Sequence, residues 1–210
     1  MAEKSSIFEK TYRDYLSQIA GLDFGSMQEG LGITVHDKEA TVPFFGRPYR
    51  VSGEGIFNPS GKESGFGVSV VLCKYLLMCP PFGPRGDDWV SYKDFKDAAP
   101  FAGAFVNTAE RPIAEQFSGC LGELKKACRN LGDRPPGMEL SYDISICFDP
   151  LPRVPLLMLF NDADEDFPAQ CRLLFERRAE KFLDMECLAM VGMFLAEYLK
   201  KAGSARGRPD

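Results

Sequence analysis

The spacing of apolar residues in the first quarter of the chain predicts one helix followed by short strands. Apolar side chains recur on one helical face over residues 6–20, behind a capping box at Ser6–Glu9. Apolar and polar residues alternate over residues 31–44, which predicts a hairpin, and a third short strand is expected around residues 49–51. Pro43 cannot donate to a strand ladder, so we expect this part of the sheet to be an edge.

In the next part of the chain, glycines and prolines that interrupt helices and strands stand between the apolar segments. The glycine-rich residues 53–65 predict a loop. Helical spacing over residues 68–76 predicts a helix, which the prolines within residues 79–84 should end. Residues 87–104 show no regular period, and we expect them to be irregular.

The second half of the chain predicts a helix, three strands and a final helix. Apolar residues recur at helical steps over residues 112–130, and the glycines within residues 119–122 are placed to bend or split that helix. Alternation over residues 140–148 predicts a strand with one polar face. The continuous apolar run 154–160 predicts a central strand covered on both faces, and residues 171–175 predict a third strand.

The end of the chain and the order of the elements define the expected fold. Asp184 is predicted to cap the last helix, because its carboxylate can accept the unpaired N–H groups of the first turn. Residues 204–210 are expected to form a flexible tail. Together the elements predict an α+β fold, with about six short strands in a mainly antiparallel sheet and packed helices that include a C-terminal one. We expect residues 1–203 to form a single domain.

Composition and charge narrow the classes of partner. The 210 residues are 45% hydrophobic and 26% charged, which is typical of globular proteins, and the formal net charge is −5. An acidic balance argues against nucleic acid or an anionic membrane as partner. Residues 1–20 show no secretion signal, and the apolar runs are far shorter than the roughly 20 residues of a membrane helix. We therefore expect a cytoplasmic protein.

The cysteine pattern argues against a disulfide framework and against the common metal sites. There are seven cysteines, an odd number, and none of them form a C-x-x-C pair. Most lie in apolar periodic segments, so we expect reduced thiols that pack in the core as small hydrophobic side chains. Cys79, next to Pro80 at a predicted helix end, is expected to be the most reactive thiol.

The acidic run of residues 162–166 is a weak candidate for a cation site, since calcium loops present oxygens at alternate positions. Phe167 and Leu173 stand where such a loop requires a glycine and a bidentate acid. A solvated hairpin tip is therefore the favoured interpretation, and no metal site is predicted. The carboxylates concerned are Asp162, Asp164 and Asp166.

His36 is the only histidine, so any mechanism with a histidine general base would have to use it. It stands beside Asp37 at a predicted hairpin tip, where side chains are usually exposed and unpartnered. We therefore favour a surface turn residue over a catalytic base.

The stretch over residues 89–101 is the strongest candidate for a binding surface. Its aromatic residues and a lysine have a composition typical of binding hot spots, and the alternative is a loop pinned to the core by its rings. Two polar residues further on could pair with each other to bind a ligand, or could form a structural ion pair. The candidate ligand- or partner-binding residues are Trp89, Tyr92, Lys93, Phe95, Asp143 and Arg153.

Several segments carry a resemblance to one protein family. They are Val42–Tyr49, Trp89–Phe95, Asp143–Ser145, Leu151–Pro155, Phe160–Ala169 and Ala179–Asp184. With the final helix they resemble the family catalogued as domain of unknown function 3786, over nearly the whole chain. The resemblance implies a protein of anaerobic bacteria or archaea and implies no catalytic residue. Some members carry a four-cysteine iron–sulfur segment ahead of this domain, like that of corrinoid iron–sulfur proteins, and we expect this chain to resemble a stand-alone copy.

The leading hypothesis is a non-catalytic accessory module of anaerobic metabolism that binds a small-molecule ligand or a protein partner. The resemblance implies that an iron–sulfur or corrinoid protein would be the partner, because any cluster would have to come from it. The first alternative is an enzyme that uses carboxylates such as Asp143, Asp162 and Asp164, with or without a divalent metal. The second alternative is a scaffold that acts as a homodimer. The sequence leaves the cofactor unknown.

Overall fold

The computed structural model describes residues 2–81 and 88–204, with side chains for residues 9–81 and 88–203. These segments contain seven α-helices and eight β-strands. The helices are α1 (Ala2–Ile19), α2 (Phe24–Leu31), α3 (Phe66–Leu77), α4 (Ala99–Phe105), α5 (Arg111–Phe117), α6 (Leu121–Leu131) and α7 (Met185–Ser204). The strands are β1 (Thr34–His36), β2 (Glu39–Phe44), β3 (Arg47–Ser52), β4 (Gly55–Phe57), β5 (Trp89–Ser91), β6 (Ile144–Leu151), β7 (Val154–Asn161) and β8 (Gln170–Glu176). Tyr92–Asp94 and Arg177–Lys181 form 3-10 turns, and Val106–Glu110 forms a π-helical turn.

The first sheet is a four-stranded antiparallel meander in the order β1-β2-β3-β4. Asp37 and Phe45 adopt positive φ angles of 54° and 47° in its tight turns. Pairing of β2 with β1 ends at Thr41, whereas its pairing with β3 continues to Phe44. β2 is therefore an inner strand and not the expected edge. Only its last part, residues 42–44, has no paired neighbour on the β1 side among the described strands. Pro43 lies beyond the end of β1, so its missing N–H leaves no group of β1 unpaired.

The second sheet is antiparallel throughout, in the order β5-β8-β7-β6. β7 is an inner strand and is buried from Val154 to Phe160, which confirms the predicted central strand. One face of β7 contributes to the main core, and the other contacts a smaller apolar cluster. The main-core residues are Leu156, Met158 and Phe160, and the smaller cluster contains Cys147, Leu157 and Leu159.

The C-terminal helix α7 holds the two sheets and the other helices together. It packs against α3, α4, α5, α6 and the π-helical turn. Phe194 and Tyr198 on α7 make edge-to-face contacts with Phe44 of β2, at ring-centroid distances of 5.5 and 6.4 Å. Gly192 allows a close approach to α4, because an added Cβ would lie 2.5 Å from the ring of Phe105. Buried residues of both sheets therefore belong to one contiguous cluster.

Hydrogen bonds join the first sheet to the end of β6, and α2 to the turn between β6 and β7. The backbone N–H of Phe45 donates to the carbonyl of Pro150 at 2.9 Å. The buried hydroxyl of Tyr75, on α3, donates to the carbonyl of Leu31 at 2.6 Å and accepts the N–H of Arg153 at 3.2 Å. Three separate parts of the chain are thus fixed by one tyrosine hydroxyl.

The predicted α+β class is confirmed, but the strands form two sheets and are more numerous than expected. β4 lies within residues 53–65, where a loop was predicted. β5 lies within residues 87–104, predicted to be irregular, and α4 begins there at Ala99. β4 and β5 have three residues each, too few to show a period in the sequence. Their partners β3 and β8 hold them in the extended conformation.

The ends of several elements also differ from the predictions. α1 begins at Ala2, so Ser6 lies inside the helix and the predicted capping box was wrong. β6 begins at Ile144 rather than at residue 140. The split between α5 and α6 is confirmed at Gly119, where φ is 71°, and Asp184 caps α7 by accepting the N–H of Cys187 at 2.9 Å. Phe82, Gly83 and Pro84, which belong to the predicted helix end, and tail residues 205–210 lie outside the described residues.

None of the helices in residues 2–81 and 88–204 combines the length and the apolar composition that a membrane crossing requires. The longest is α7 with 20 residues, and it carries Glu186, Glu197, Lys200 and Lys201.

The cysteines are free thiols, as predicted, and five of the seven are buried. The buried ones are Cys73, Cys128, Cys147, Cys171 and Cys187, and the half-buried ones are Cys79 and Cys120. Burial raises the pKa of Cys73 and of Cys128 to about 12. Burial also raises the pKa of Cys79 above its usual value. Almost no thiolate is therefore present at the buried positions at neutral pH.

This distribution of thiols predicts a labelling pattern. We expect N-ethylmaleimide at neutral pH to modify only Cys79 and Cys120 in the native protein, because the other thiols are neither exposed nor ionised. All seven cysteines should react in denaturant. Peptide mass spectrometry after a timed quench measures the pattern, and rapid native labelling of any buried cysteine would contradict the described core.

Candidate functional site

A notch in the edge of the second sheet forms the candidate site. β5 pairs only with residues 174–176 of β8, whereas β8 itself begins at Gln170. After Ser91 the chain leaves the sheet as a 3-10 turn, so β5 does not cover the edge of β8 from Gln170 to Leu173. A cavity of about 500 Å³ lies between this turn, α4, the π-helical turn and β8. We call it the notch pocket, and its lining includes Ser91, Lys93, Val106, Glu110, Cys171 and Arg172.

The π-helical turn beside the notch pocket has a cause in the sequence. Pro112 follows it and has no N–H, so the regular hydrogen-bond ladder is interrupted there. The N–H of Arg111 donates to the carbonyl of Val106, five residues back. This wider turn carries Glu110 as its last residue, and single π-helical turns occur frequently at functional sites.

Glu110 supplies the one carboxylate in the described lining of the notch pocket. Its Oε1 accepts a hydrogen bond of 3.0 Å from the N–H of Leu173, a donor that β5 does not reach. Among the described residues none bonds to its Oε2. Burial raises the pKa of Glu110, while the bond from Leu173 and the positive charges of Arg172 and Lys93 act to lower it. A half-buried carboxyl group in a cleft is a candidate for ligand binding.

Lys93 and Arg172 add two positive charges to the notch pocket. Ser91 pairs with Leu174, so the antiparallel register brings the 3-10 turn that carries Lys93 level with Arg172. Both side chains are exposed, and neither forms an ion pair with a residue in the described part of the chain. Together with the carboxylate of Glu110, these two cations give the described lining of the notch pocket a formal net charge of one positive unit, whereas the net charge of the whole chain is −5.

An aromatic stack fixes the apolar wall of the notch pocket. The rings of Tyr92 and Phe105 are stacked at a centroid distance of 4.3 Å and an angle of 10°. The hydroxyl of Tyr92 donates to the carbonyl of Met185 at 2.7 Å. Burial raises the pKa of Tyr92 to about 12, so the hydroxyl stays protonated and ties the 3-10 turn to the start of α7. Val106, next to the stack, is 41% exposed.

The structure places two of the four candidates from the aromatic stretch, Tyr92 and Lys93, in the notch pocket. Trp89 lies outside the described lining of the notch pocket. It is half-buried on the face of the second sheet that points away from the main core, where it packs with Leu174 against the smaller apolar cluster. Phe95 is only 3% exposed and lies in the main core. Phe95 therefore fits the alternative interpretation, in which aromatic rings hold the loop to the core. A binding role for Trp89 stays a prediction.

Asp143 and Arg153 lie at opposite ends of the β6–β7 hairpin and do not form the expected pair. Asp143 precedes β6 and accepts the N–H of Asp162 at 2.7 Å. Arg153 lies in the turn, and its guanidinium donates to the carbonyls of Glu29 and Gly30 at the end of α2. β6 has eight residues. A strand of that length spans about 26 Å. Arg153 therefore fixes α2 against the hairpin, far from Asp143.

The acidic run 162–166 has the geometry of a hydrogen-bonded turn. Asp162 accepts the N–H of Gly119 at 2.6 Å. Asp164 accepts the N–H groups of Asp166 and Phe167 at 2.9 and 2.7 Å. In residues 9–81 and 88–203, no group of three or more His, Cys, Asp or Glu side chains is arranged to hold a metal ion. The turn supports the hairpin-tip interpretation, because its carboxylates serve the local backbone.

A larger cavity of about 770 Å³ lies between the start of α2 and the β1–β2 turn, next to His36. Most of its carboxylates are already engaged. Asp23 caps α2, Asp37 contacts His36 at 3.0 Å, and Glu39 pairs with Arg50 at 3.2 Å. The His36 side chain is 92% exposed, as expected for a turn residue. The described lining of this cavity therefore does not bring a set of unpaired polar groups together, and it is a weaker candidate for a binding site.

Sequence reasoning missed Glu110, Cys171 and Arg172 as members of a site. Glu110 stands just ahead of the predicted helix 112–130, and Arg172 is a polar position inside a predicted strand. Neither belongs to a motif with a known spacing. The signal that could have found them is the early end of β5 relative to β8, which the sequence pattern does not show.

Fold and site together define a class: an α+β protein with two four-stranded antiparallel sheets and a small charged pocket at one sheet edge. The chain belongs to the family of the domain of unknown function DUF3786, whose model matches residues 23–198. That range contains every residue of the notch pocket named above. Comparison with curated proteins and with solved structures gave no significant match.

Proposed function

We propose that the protein is a non-catalytic module that binds a small molecule in the notch pocket. One observation carries the proposal: two cations without ion-pair partners in the described chain, Lys93 and Arg172, and a free oxygen of Glu110 surround a cavity of about 500 Å³. Small-molecule sites commonly have volumes of about 300–1,000 Å³. A ligand of complementary charge would satisfy all three groups at once.

The remaining groups of the notch pocket favour binding over bond-breaking chemistry. Burial raises the pKa of the Cys171 thiol well above its usual value, so it is a poor nucleophile. The hydroxyl of Tyr92 is committed to the carbonyl of Met185. Glu110 has no histidine or second carboxylate beside it in the described lining, whereas acid–base catalysis usually pairs two such groups.

The alternative of a carboxylate-dependent enzyme has less support. It would use Asp143, Asp162 and Asp164, and each of these carboxylates accepts a backbone hydrogen bond in or beside the turn 162–166. A metal ion at this turn would have to compete with those bonds.

The family resemblance supports a further part of the proposal, the metabolic setting. We propose that the module serves anaerobic metabolism in the cytoplasm, with an iron–sulfur or corrinoid protein as partner. Trp89, half-buried on the outer face of the second sheet, is its candidate contact. A dimeric scaffold is the alternative for this face.

Native mass spectrometry of tagged protein from anaerobic cell extract tests the binding proposal. We expect the wild-type protein to carry a small molecule. The double variant Lys93→Met/Arg172→Met should bind it at least about tenfold more weakly, because a hydrogen bond to a charged group contributes about 1.5–3 kcal/mol. Both side chains are exposed, so the variant should fold normally.

The matched control is Lys125→Met/Arg129→Met, which removes the same charge from the exposed face of α6. It should retain the ligand. Wild-type protein that carries no small molecule in any charge state would contradict the binding proposal, and a symmetric dimer without ligand would favour the scaffold. An iron–sulfur or corrinoid protein in the complex would support the proposed partner.

A further inference from the structure

We propose that the occupant of the notch pocket is a free α-amino acid with an apolar side chain. The inference rests on the proposed function and specifies the chemical class of the ligand. The notch pocket combines a pair of cations, a carboxylate oxygen and an apolar wall. An α-amino acid carries one complement to each: a carboxylate, an ammonium group and a side chain.

The cations Lys93 and Arg172 suit the ligand's carboxylate. The guanidinium of Arg172 can donate two parallel hydrogen bonds to a carboxylate, and the ammonium of Lys93 can add a third. Because both side chains are exposed and without ion-pair partners in the described chain, no existing contact has to break.

Glu110 suits the ligand's ammonium group. Its Oε1 is occupied by the N–H of Leu173, and its Oε2 has no partner among the described residues. Burial disfavours the ionised carboxylate, which is why its pKa is raised. An ammonium group brought beside Oε2 would supply the missing opposite charge and a donor. A carboxylate ligand without an amino group would instead place a second negative charge near Glu110.

The wall on the α4 side suits an apolar side chain. Val106 is 41% exposed, and Phe105 and Ala102 also belong to the lining. Covering such surface stabilises a complex by about 25 cal/mol per Å². An apolar side chain placed there removes both its own surface and that of Val106 from water.

Isothermal titration calorimetry on the full chain tests the inference with five probes: L-valine, L-leucine, L-isoleucine, L-methionine and L-phenylalanine. We expect at least one of them to bind. The analogue of that probe without its amino group, and the analogue without its carboxylate, should each bind at least about tenfold more weakly, since each loses a charge-assisted contact. For L-leucine these analogues are 4-methylpentanoate and isoamylamine.

The variant Glu110→Gln separates recognition from folding. Its amide oxygen can still accept the hydrogen bond from the N–H of Leu173, whereas its NH₂ group is a donor and cannot accept a hydrogen bond from an ammonium group. We expect about tenfold weaker binding of the amino acid and tighter binding of the analogue without the amino group, because the glutamine removes the negative charge that repels the analogue's carboxylate. Glu115→Gln, at an exposed position on α5, is the matched control and should behave as wild type.

The outcomes distinguish this inference from the proposed function. If native mass spectrometry shows a retained small molecule and none of the five probes binds, the amino-acid inference is overturned and the binding module stands. Equal affinity for a probe and for its analogue without the amino group would also overturn it. If no molecule is retained and no probe binds, both proposals fail.

Discussion

Replacing Phe105 with alanine is expected to lower the free energy of unfolding by about 3–5 kcal/mol, the largest effect that we predict for this protein. Phe105 is only 2% exposed. Its ring stacks on Tyr92, lies 6.1 Å from the ring of Phe175 and fits against Gly192 of α7. These neighbours lie on separate elements that are held by other contacts, so they cannot collapse into the cavity that the substitution leaves.

Urea titration followed by circular dichroism measures this change. The control is Val106→Ala, one residue further along, where a 41% exposed side chain should contribute less than about 1 kcal/mol. Equal effects of the two substitutions would show that α4 does not pack as described.

Replacing Tyr75 with phenylalanine is expected to lower the free energy of unfolding by about 1–3 kcal/mol. Tyr75 is fully buried, and its hydroxyl bonds both to the carbonyl of Leu31 and to the N–H of Arg153. Phenylalanine keeps the ring and its packing but leaves both backbone groups without this partner. The effect comes from the penalty for leaving polar groups unpaired, at a buried position for the carbonyl of Leu31 and at a part-buried one for the N–H of Arg153.

Denaturant titration gives the magnitude, and hydrogen exchange gives the location. The amide of Arg153 should exchange faster in the Tyr75→Phe variant, since its acceptor is gone. Tyr142→Phe is the control, because Tyr142 is 39% exposed and its substitution should change stability by less than about 0.5 kcal/mol. A Tyr75→Phe variant as stable as this control would contradict the described junction between α2, α3 and the β6–β7 turn.

The notch pocket depends on the same core that the first prediction probes. The π-helical turn is held from one side by Phe105 and α7. It is held from the other side by the bond between Glu110 and Leu173. The carboxylate is thus fixed on a supported element, which lowers the entropy lost when a ligand binds. Lys93 and Arg172 are exposed and can adjust to the ligand.

Elements with a long, regular pattern were predictable from the sequence. The run 154–160 is apolar at every position, and such a run fits an inner strand covered on both faces. Asp184 was predictable as a cap because the cap is a contact within three residues. β4 and β5 were not predictable, since three residues do not show a period and their partners are distant in the chain.

By itself, the sequence determined the α+β class, the reduced cysteines and the central strand, because these follow from neighbours within a few residues and from composition. Only the tertiary structure decided the notch pocket. Lys93, Glu110 and Arg172 stand far apart in the chain and meet because β5 stops after three residues while β8 continues. Where a strand pair ends is set by the sum of contacts between distant segments, and no local pattern encodes that sum.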